Sequence, residues 1–176
     1  MRKKFSLIFT LSLCLISFGA VNAKGQDERE PLENGLFEIG YRTVEEAVNE
    51  CENLFNEDIV LPYKIPPVQF THYFGRYSKD IGINNAFEIE FFNENTPENH
   101  YDLTLRPKKH ATTFKPRHID KTIKLDKGKA FLIKNPIANV LVFEKENWQY
   151  ILSIDKNKAN TSALYQMDCK EGTIGI

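Results

Sequence analysis

The sequence predicts an α+β domain: a curved antiparallel sheet of about seven strands, with an N-terminal and a C-terminal helix packed on one face. Three observations carry that prediction. Apolar residues recur at helical spacing over 44–55 behind a helix-start signal. From Val68 onward they alternate with polar residues in runs divided by short turn segments, and 160–170 read as a closing helix stopped by Gly172. Connections this short leave no room for the crossovers of a parallel sheet.

The chain opens on an export signal. Arg2, Lys3 and Lys4 precede an uncharged stretch from Phe5 to Ala20, and Val21-Asn22-Ala23 supplies the small residues a signal peptidase reads. That stretch is shorter than the roughly 20 residues of a spanning helix, so cleavage near Ala23 and a secreted or extracytoplasmic product are expected. Leu13 stands where a lipoprotein signal needs a small residue, so Cys14 leaves with the signal rather than becoming a lipid anchor. Residues 24–42 are polar and acidic and read as a flexible leader with one short ordered piece near Leu36-Phe37. A single domain over 43–176 follows, long enough to bury a core.

Thr43-Val44-Glu45-Glu46 fits a capping box, in which the threonine hydroxyl accepts from an amide and the glutamate reaches back to the cap. Behind it Val44, Ala47, Val48, Cys51, Leu54 and Phe55 form one face and Glu45, Glu46, Asn49, Glu50 and Glu52 the other, the pattern of an amphipathic helix. Leu61 to Pro67 cannot continue it, because each proline removes a donor and restrains its predecessor. Strands are then expected over Val68–Tyr77, Phe87–Asn93, Tyr101–Arg106, Thr122–Leu125, Lys129–Ile133, Asn139–Phe143 and Trp148–Ile154. Asp126-Lys127-Gly128 and Glu144 to Asn147 look like tight hairpin connections. Both helices are expected over the face that otherwise exposes Phe87, Ile89, Phe91, Leu103 and Leu105.

Removing the three cations of the signal takes the formal charge from −1 to −4. A mildly acidic chain has no general attraction to nucleic acid, and nothing after residue 24 is apolar for long enough to span a membrane. Cleavage leaves Cys51 and Cys169, an even pair in an oxidising compartment. A bridge between the two helices would close a loop of more than about a hundred residues and add about 4 to 5 kcal/mol in the chain-entropy model. The alternative is two separate small hydrophobic residues. A catalytic thiol is disfavoured, since Cys51 is on the buried helix face and no histidine is near either cysteine in sequence.

No G-x-S-x-G, H-E-x-x-H, C-x-x-C or phosphate-cradling glycine loop occurs, and no cofactor is implied. Of the four histidines, His72, His100, His110 and His118, the last two share one proline-containing segment without a nearby thiol or paired carboxylate, a weak metal signal, and all four read as solvent-exposed or half-buried structural residues. Glu88 and Glu90 project from one face of a strand about 7 Å apart, a spacing suited to glycoside hydrolysis, yet equally that of a solvated sheet face. Charge segregation stands out more. Arg106, Lys108, Lys109, Lys115, Arg117, Lys121 and Lys124 crowd a run with one acid, Asp120, just after Glu88, Glu90, Glu94, Glu98 and Asp102. Pairing of the second and third strands would neutralise some of these charges across the sheet; otherwise the loop Lys108 to Arg117 docks an anionic polymer or phospholipid surface. Tyr63, Tyr73 and Tyr77, with Phe74, surround the proline segment and offer a shallow groove for sugar or peptide.

The T-V-E-E-A helix, the Leu61-Pro62 and Pro66-Pro67 approach to the sheet, the F-E-I-E-F-F strand, I-K-L-D-K-G-K-A-F-L-I, V-F-E-K and W-Q-Y-I-L-S-I followed by a short helix resemble the domain of unknown function numbered 4367. The resemblance is one of pattern over roughly Thr43 to Ile174. It implies an extracytoplasmic, non-catalytic α+β sheet domain of secreted or membrane-tethered proteins of spore-forming Gram-positive bacteria, some of them anti-sigma factors. It supplies no catalytic residue. The expected function is therefore an exported, non-catalytic binding or interaction module of a Gram-positive cell envelope, with an envelope polymer or a protein as partner. The alternatives are a small secreted hydrolase using the paired carboxylates and a secreted inhibitor that inserts the Lys108 to Arg117 loop.

Overall fold

The structure, a computed structural model, describes residues 32–62, 64–80, 84–125 and 127–158. The export signal with Cys14, the start of the leader, Tyr63, the closing helix expected over 160–170 and Cys169 lie outside the described residues. A short helix α1 spans Leu32–Glu38, inside the segment read as a flexible leader with one short ordered piece near Leu36-Phe37. The longer α2 spans Val44–Phe55 and carries the capping box the sequence announces: Thr43 Oγ1 accepts from the Glu46 amide, and the Thr43 amide donates to Glu46 Oε2. Asn56 ends the helix in the left-handed conformation, at φ 52.

Seven strands follow: β1 (His72–Asp80), β2 (Asn84–Phe92), β3 (His100–Pro107), β4 (Ile119–Leu125), β5 (Gly128–Ile133), β6 (Ala138–Lys145) and β7 (Trp148–Asp155). They form one sheet in the order β1-β2-β3-β7-β6-β5-β4, each neighbour antiparallel. The expected mixture of helices and an antiparallel sheet is present. Two meanders are thus joined where β3 meets β7, and the link between β3 and β4 must cross the sheet to reach its far edge. No local sequence signal announces that crossing.

One face holds the core. Cross-strand register places Phe87, Leu105, Tyr150, Phe143 and Ala130 in one row and Ile89, Leu103, Leu152 and Leu141 in the next. All nine are buried, and each large apolar side chain so placed is worth about 1.5–3 kcal/mol. Val44, Ala47 and Cys51 of α2 cover part of this face, and a strap formed by residues 56–62 and 64–70 covers more of it through Ile59, Leu61, Val68 and Phe70. Tyr150 Oη donates to the Val60 carbonyl at 2.8 Å, and the Phe70 ring lies 5.7 Å from that of Phe91. The first strand therefore begins at His72 rather than Val68. Val68 and Phe70 alternate with polar neighbours because the strap, like a strand, buries one side.

Between the helices the chain rounds the sheet edge. Arg42 pairs with Gly75 of β1, donating at 2.8 Å and accepting at 2.9 Å. Glycine is required there: a Cβ on Gly75 would come within 2.7 Å of the Ala47 Cβ, so the close approach of α2 to β1 excludes any side chain. This clasp puts α1 on the opposite face from α2. Phe37 of α1 meets Phe74 edge to face at 5.6 Å, and His72 stacks on Phe92 at 5.2 Å beside it. Phe74, His72 and Phe92 all project from the face that α2 does not cover.

Candidate functional site

The second face divides into a polar half and a roofed half. On the polar half, Arg76 Nε donates to Glu88 Oε2 at 2.9 Å and its guanidinium lies 4.4 Å from the Tyr41 ring centroid. Tyr41 is 2 % exposed, and its hydroxyl donates to Glu90 Oε1. Burial, then the Glu90 carboxylate, push the Tyr41 phenol well above its ordinary range. Glu88 and Glu90 do share a face, as the alternation requires. Glu88 is engaged by Arg76 of β1, and Glu90 by Tyr41, which joins α1 to α2.

His100 completes that half. Its Nε2 lies 2.9 Å from Asp102 Oδ1 and 4.0 Å from Glu90 Oε2. The Asp102 hydrogen bond raises the histidine above its ordinary value of 6.5, against an opposing effect of burial. Because the folded value is the higher one, any stability His100 contributes is complete below about pH 6.5 and is lost as pH rises through the folded pKa. An NMR titration is expected to place the His100 midpoint above 6.5 and to lower it in Asp102→Asn, which removes the hydrogen bond that raises it most. A midpoint unmoved by the substitution would contradict the pairing. The pairing of β2 with β3 sets Glu90 opposite Asp102, acid beside acid, so the expected neutralisation of the basic run across these strands does not occur. Arg76 offsets Glu88 instead, and His100, when protonated, offsets Glu90 and Asp102.

The basic run lies elsewhere, in the crossover. After β3 the chain makes a 3-10 turn over Lys108–His110, runs extended, makes a second over Pro116–His118 and enters β4. Gln149 of β7, 4 % exposed, holds this segment on the second face: its Oε1 accepts from the Thr112 amide at 2.7 Å and its Nε2 donates to the Thr112 carbonyl at 2.9 Å. Further along, the Lys134 amide donates to the His118 carbonyl at 2.8 Å. Under the crossover is a cleft of about 850 Å³. Phe114 from the crossover, with Phe131 and Val142 from the sheet, gives part of its lining an apolar character. Lys108, Lys127, Lys129 and Lys145 line it together with Glu144 and Glu146.

The four basic residues singled out in the sequence all lie on the crossover and are exposed: Lys108, Lys109, Lys115 and Arg117. Their settings differ. Lys108 Nζ is 3.7 Å from Glu144 Oε2, Lys109 Nζ sits 5.9 Å from the Phe55 ring centroid, and Arg117 Nε donates to His118 Nε2 at 3.1 Å. Only Lys108 lines the cleft. Of the tyrosines singled out in the sequence, the two described ones, Tyr73 and Tyr77, do not join it. Tyr73 is 43 % exposed on the α2-covered side at the β1 edge, and Tyr77 is half-buried against Phe55 at 5.5 Å. The structure brings neither to the cleft. Cys51, on the core-facing side of α2, is wholly buried, and burial followed by Glu52 and Glu50 pushes its thiol up to about 12, which disfavours the thiolate.

Sequence reasoning missed Lys127, Lys129, Phe114, Phe131, Val142 and Gln149. One signal was present: β5, β6 and β7 read Ala130-Phe131-Leu132-Ile133, Val140-Leu141-Val142-Phe143 and Trp148 to Leu152 with little alternation, as strands covered on both faces do. Among the described residues no group of three or more His, Cys, Asp or Glu is placed to hold a metal, and no helix is long and apolar enough to cross a membrane. Comparison of the chain with protein-family models, curated proteins and solved structures gives no match.

Proposed function

We propose that the protein is an exported, non-catalytic binding module of a Gram-positive cell envelope, and that its crossover docks an anionic envelope polymer. The observation that carries this reading is the position of the basic run. Lys108, Lys109, Lys115 and Arg117 stand exposed on a segment that Gln149 fixes to the sheet, so the charges sit on a rigid ridge rather than a loose loop. A preformed cationic ridge on a chain that is otherwise acidic concentrates a polyanion locally without general stickiness. The pattern resemblance to the domain of unknown function numbered 4367 and the export signal support the envelope setting. The engagement of Glu88 by Arg76 and of Glu90 by Tyr41 favours binding over hydrolysis.

Replacing Lys108, Lys109, Lys115 and Arg117 together by glutamine is expected to abolish cosedimentation with purified cell walls at about 0.15 M salt, where a Debye length of about 8 Å leaves contact pairs unscreened. Wild-type protein should release from walls as salt rises. Association unchanged in the fourfold variant would sink the basic site. Anionic liposomes form the second arm, and binding to them but not to walls would place the ligand in the membrane instead.

A further inference from the structure

A bare polyanion has no use for the apolar part of the lining beneath the crossover. Phe114 is half-buried on the roof and Phe131 half-buried on the floor, while Val142 beside it is 2 % exposed. At about 850 Å³ the space is that of a small-molecule site, and sites of this size bind through apolar walls with a few charged groups fixing orientation. Here those groups are lysines. Lys127 and Lys129 flank Gly128, which has a φ of +107, so both ammonium-bearing residues stand side by side where β5 begins at the cleft. Lys108 and Lys145 add to them, and Glu144 and Glu146 offset only part of the charge. The roof is held in place by both amide atoms of Gln149, so the cavity needs no rearrangement to form.

We infer that this cleft binds an amphiphile in which a compact anionic group, phosphate in its simplest form, is joined directly to an apolar body. The lysines of the hairpin take the anion and Phe114, Phe131 and Val142 take the body. Lysine suits this role, because its ammonium is a point charge that does not demand the two-pronged geometry of a guanidinium partner. The inference rests on the reading that the crossover docks an anionic ligand, and it adds what that ligand carries next to its charge.

The test compares inorganic phosphate, hexyl phosphate and phenyl phosphate by calorimetry or amide chemical shifts on the full exported chain. At least one organic phosphate is expected to bind about tenfold or more tightly than inorganic phosphate, with shifts at Thr113, Phe114 and Lys127–Lys129. Phe114→Ser should erase that preference and leave inorganic phosphate binding as it was, whereas Phe114→Leu should keep it. Lys127→Gln with Lys129→Gln should weaken all three ligands. These residues are exposed or half-buried, and a thermal melt verifies each variant's fold. Equal binding of all three phosphates, or of none, overturns the inference. If wild-type association with cell walls persists in that case and is still lost in the fourfold crossover variant, the amphiphile fails alone; if wall association is also absent, the docking reading falls with it.

Discussion

Trp148→Ala is expected to destabilise the fold by about 3–5 kcal/mol, the cost of deleting a large buried aromatic. Trp148 opens β7, is 2 % exposed, and receives the Phe55 ring edge-on at 5.3 Å. Phe55 in turn meets Tyr77 of β1 and carries the Lys109 ammonium over its ring. One indole thus seats the C-terminal end of α2, the β1 edge and the start of the crossover. Removing it leaves a cavity bounded by a sheet and a helix end whose backbones are hydrogen-bonded and cannot collapse inward. The melting temperature should fall by roughly 10 °C or more. Because the chain has a single tryptophan, the transition has to be followed by circular dichroism rather than intrinsic fluorescence. A loss below about 1 kcal/mol would show that α2 docks without it.

Gln149→Leu should cost less stability, about 1–3 kcal/mol, but change function more. Leucine fills much of the same volume while leaving the Thr112 amide and carbonyl without the partners that Gln149 gives them at 2.7 and 2.9 Å. The crossover is then free to lift from β7. Two effects are expected together: faster amide hydrogen exchange over Ala111–His118, and weaker wall association although every basic residue is retained. Loss of binding with an unchanged exchange pattern would contradict the idea that Gln149 acts by holding the roof. Gln149→Glu separates the two halves of the clamp, since the carboxylate still accepts from the Thr112 amide but has nothing to donate to its carbonyl.

How far the sequence discloses this molecule depends on how local the cause is. The α2 capping box is legible because its partners are three residues apart, and β2 because Phe87, Ile89 and Phe91 alternate strictly with Glu88 and Glu90. The two hairpin turns are legible for the same reason: Gly128 adopts positive φ as its turn demands, and Glu146 does so at φ 50 in the other. Helix α1 is legible only as a short ordered piece near Leu36-Phe37 and not as a helix, since its acidic, glycine-containing stretch has no periodic apolar stripe and is held by Phe74 and His72, residues some forty positions away. The strap over 56–62 and 64–70 is not legible, since its prolines exclude a helix without saying that the segment lies on the core. The cleft is the extreme case. Its walls come from the crossover, two hairpins and the middle of β5 and β6, and they meet only because β3 pairs with β7. The basic run was visible, but its companions Lys127, Lys129 and Phe131 take their meaning from that pairing alone.

The central claim is that the roofed half of the second face is where an anionic envelope ligand docks. Hydrogen–deuterium exchange of the exported chain, with and without purified anionic wall polymer, addresses it most directly. The account predicts added protection over Lys108–His118 and Lys127–Lys129, with α2, the strap and the Tyr41–Glu90 cluster unchanged. Protection centred on α2 or on the His100 cluster, with the crossover exchanging as before, would contradict it.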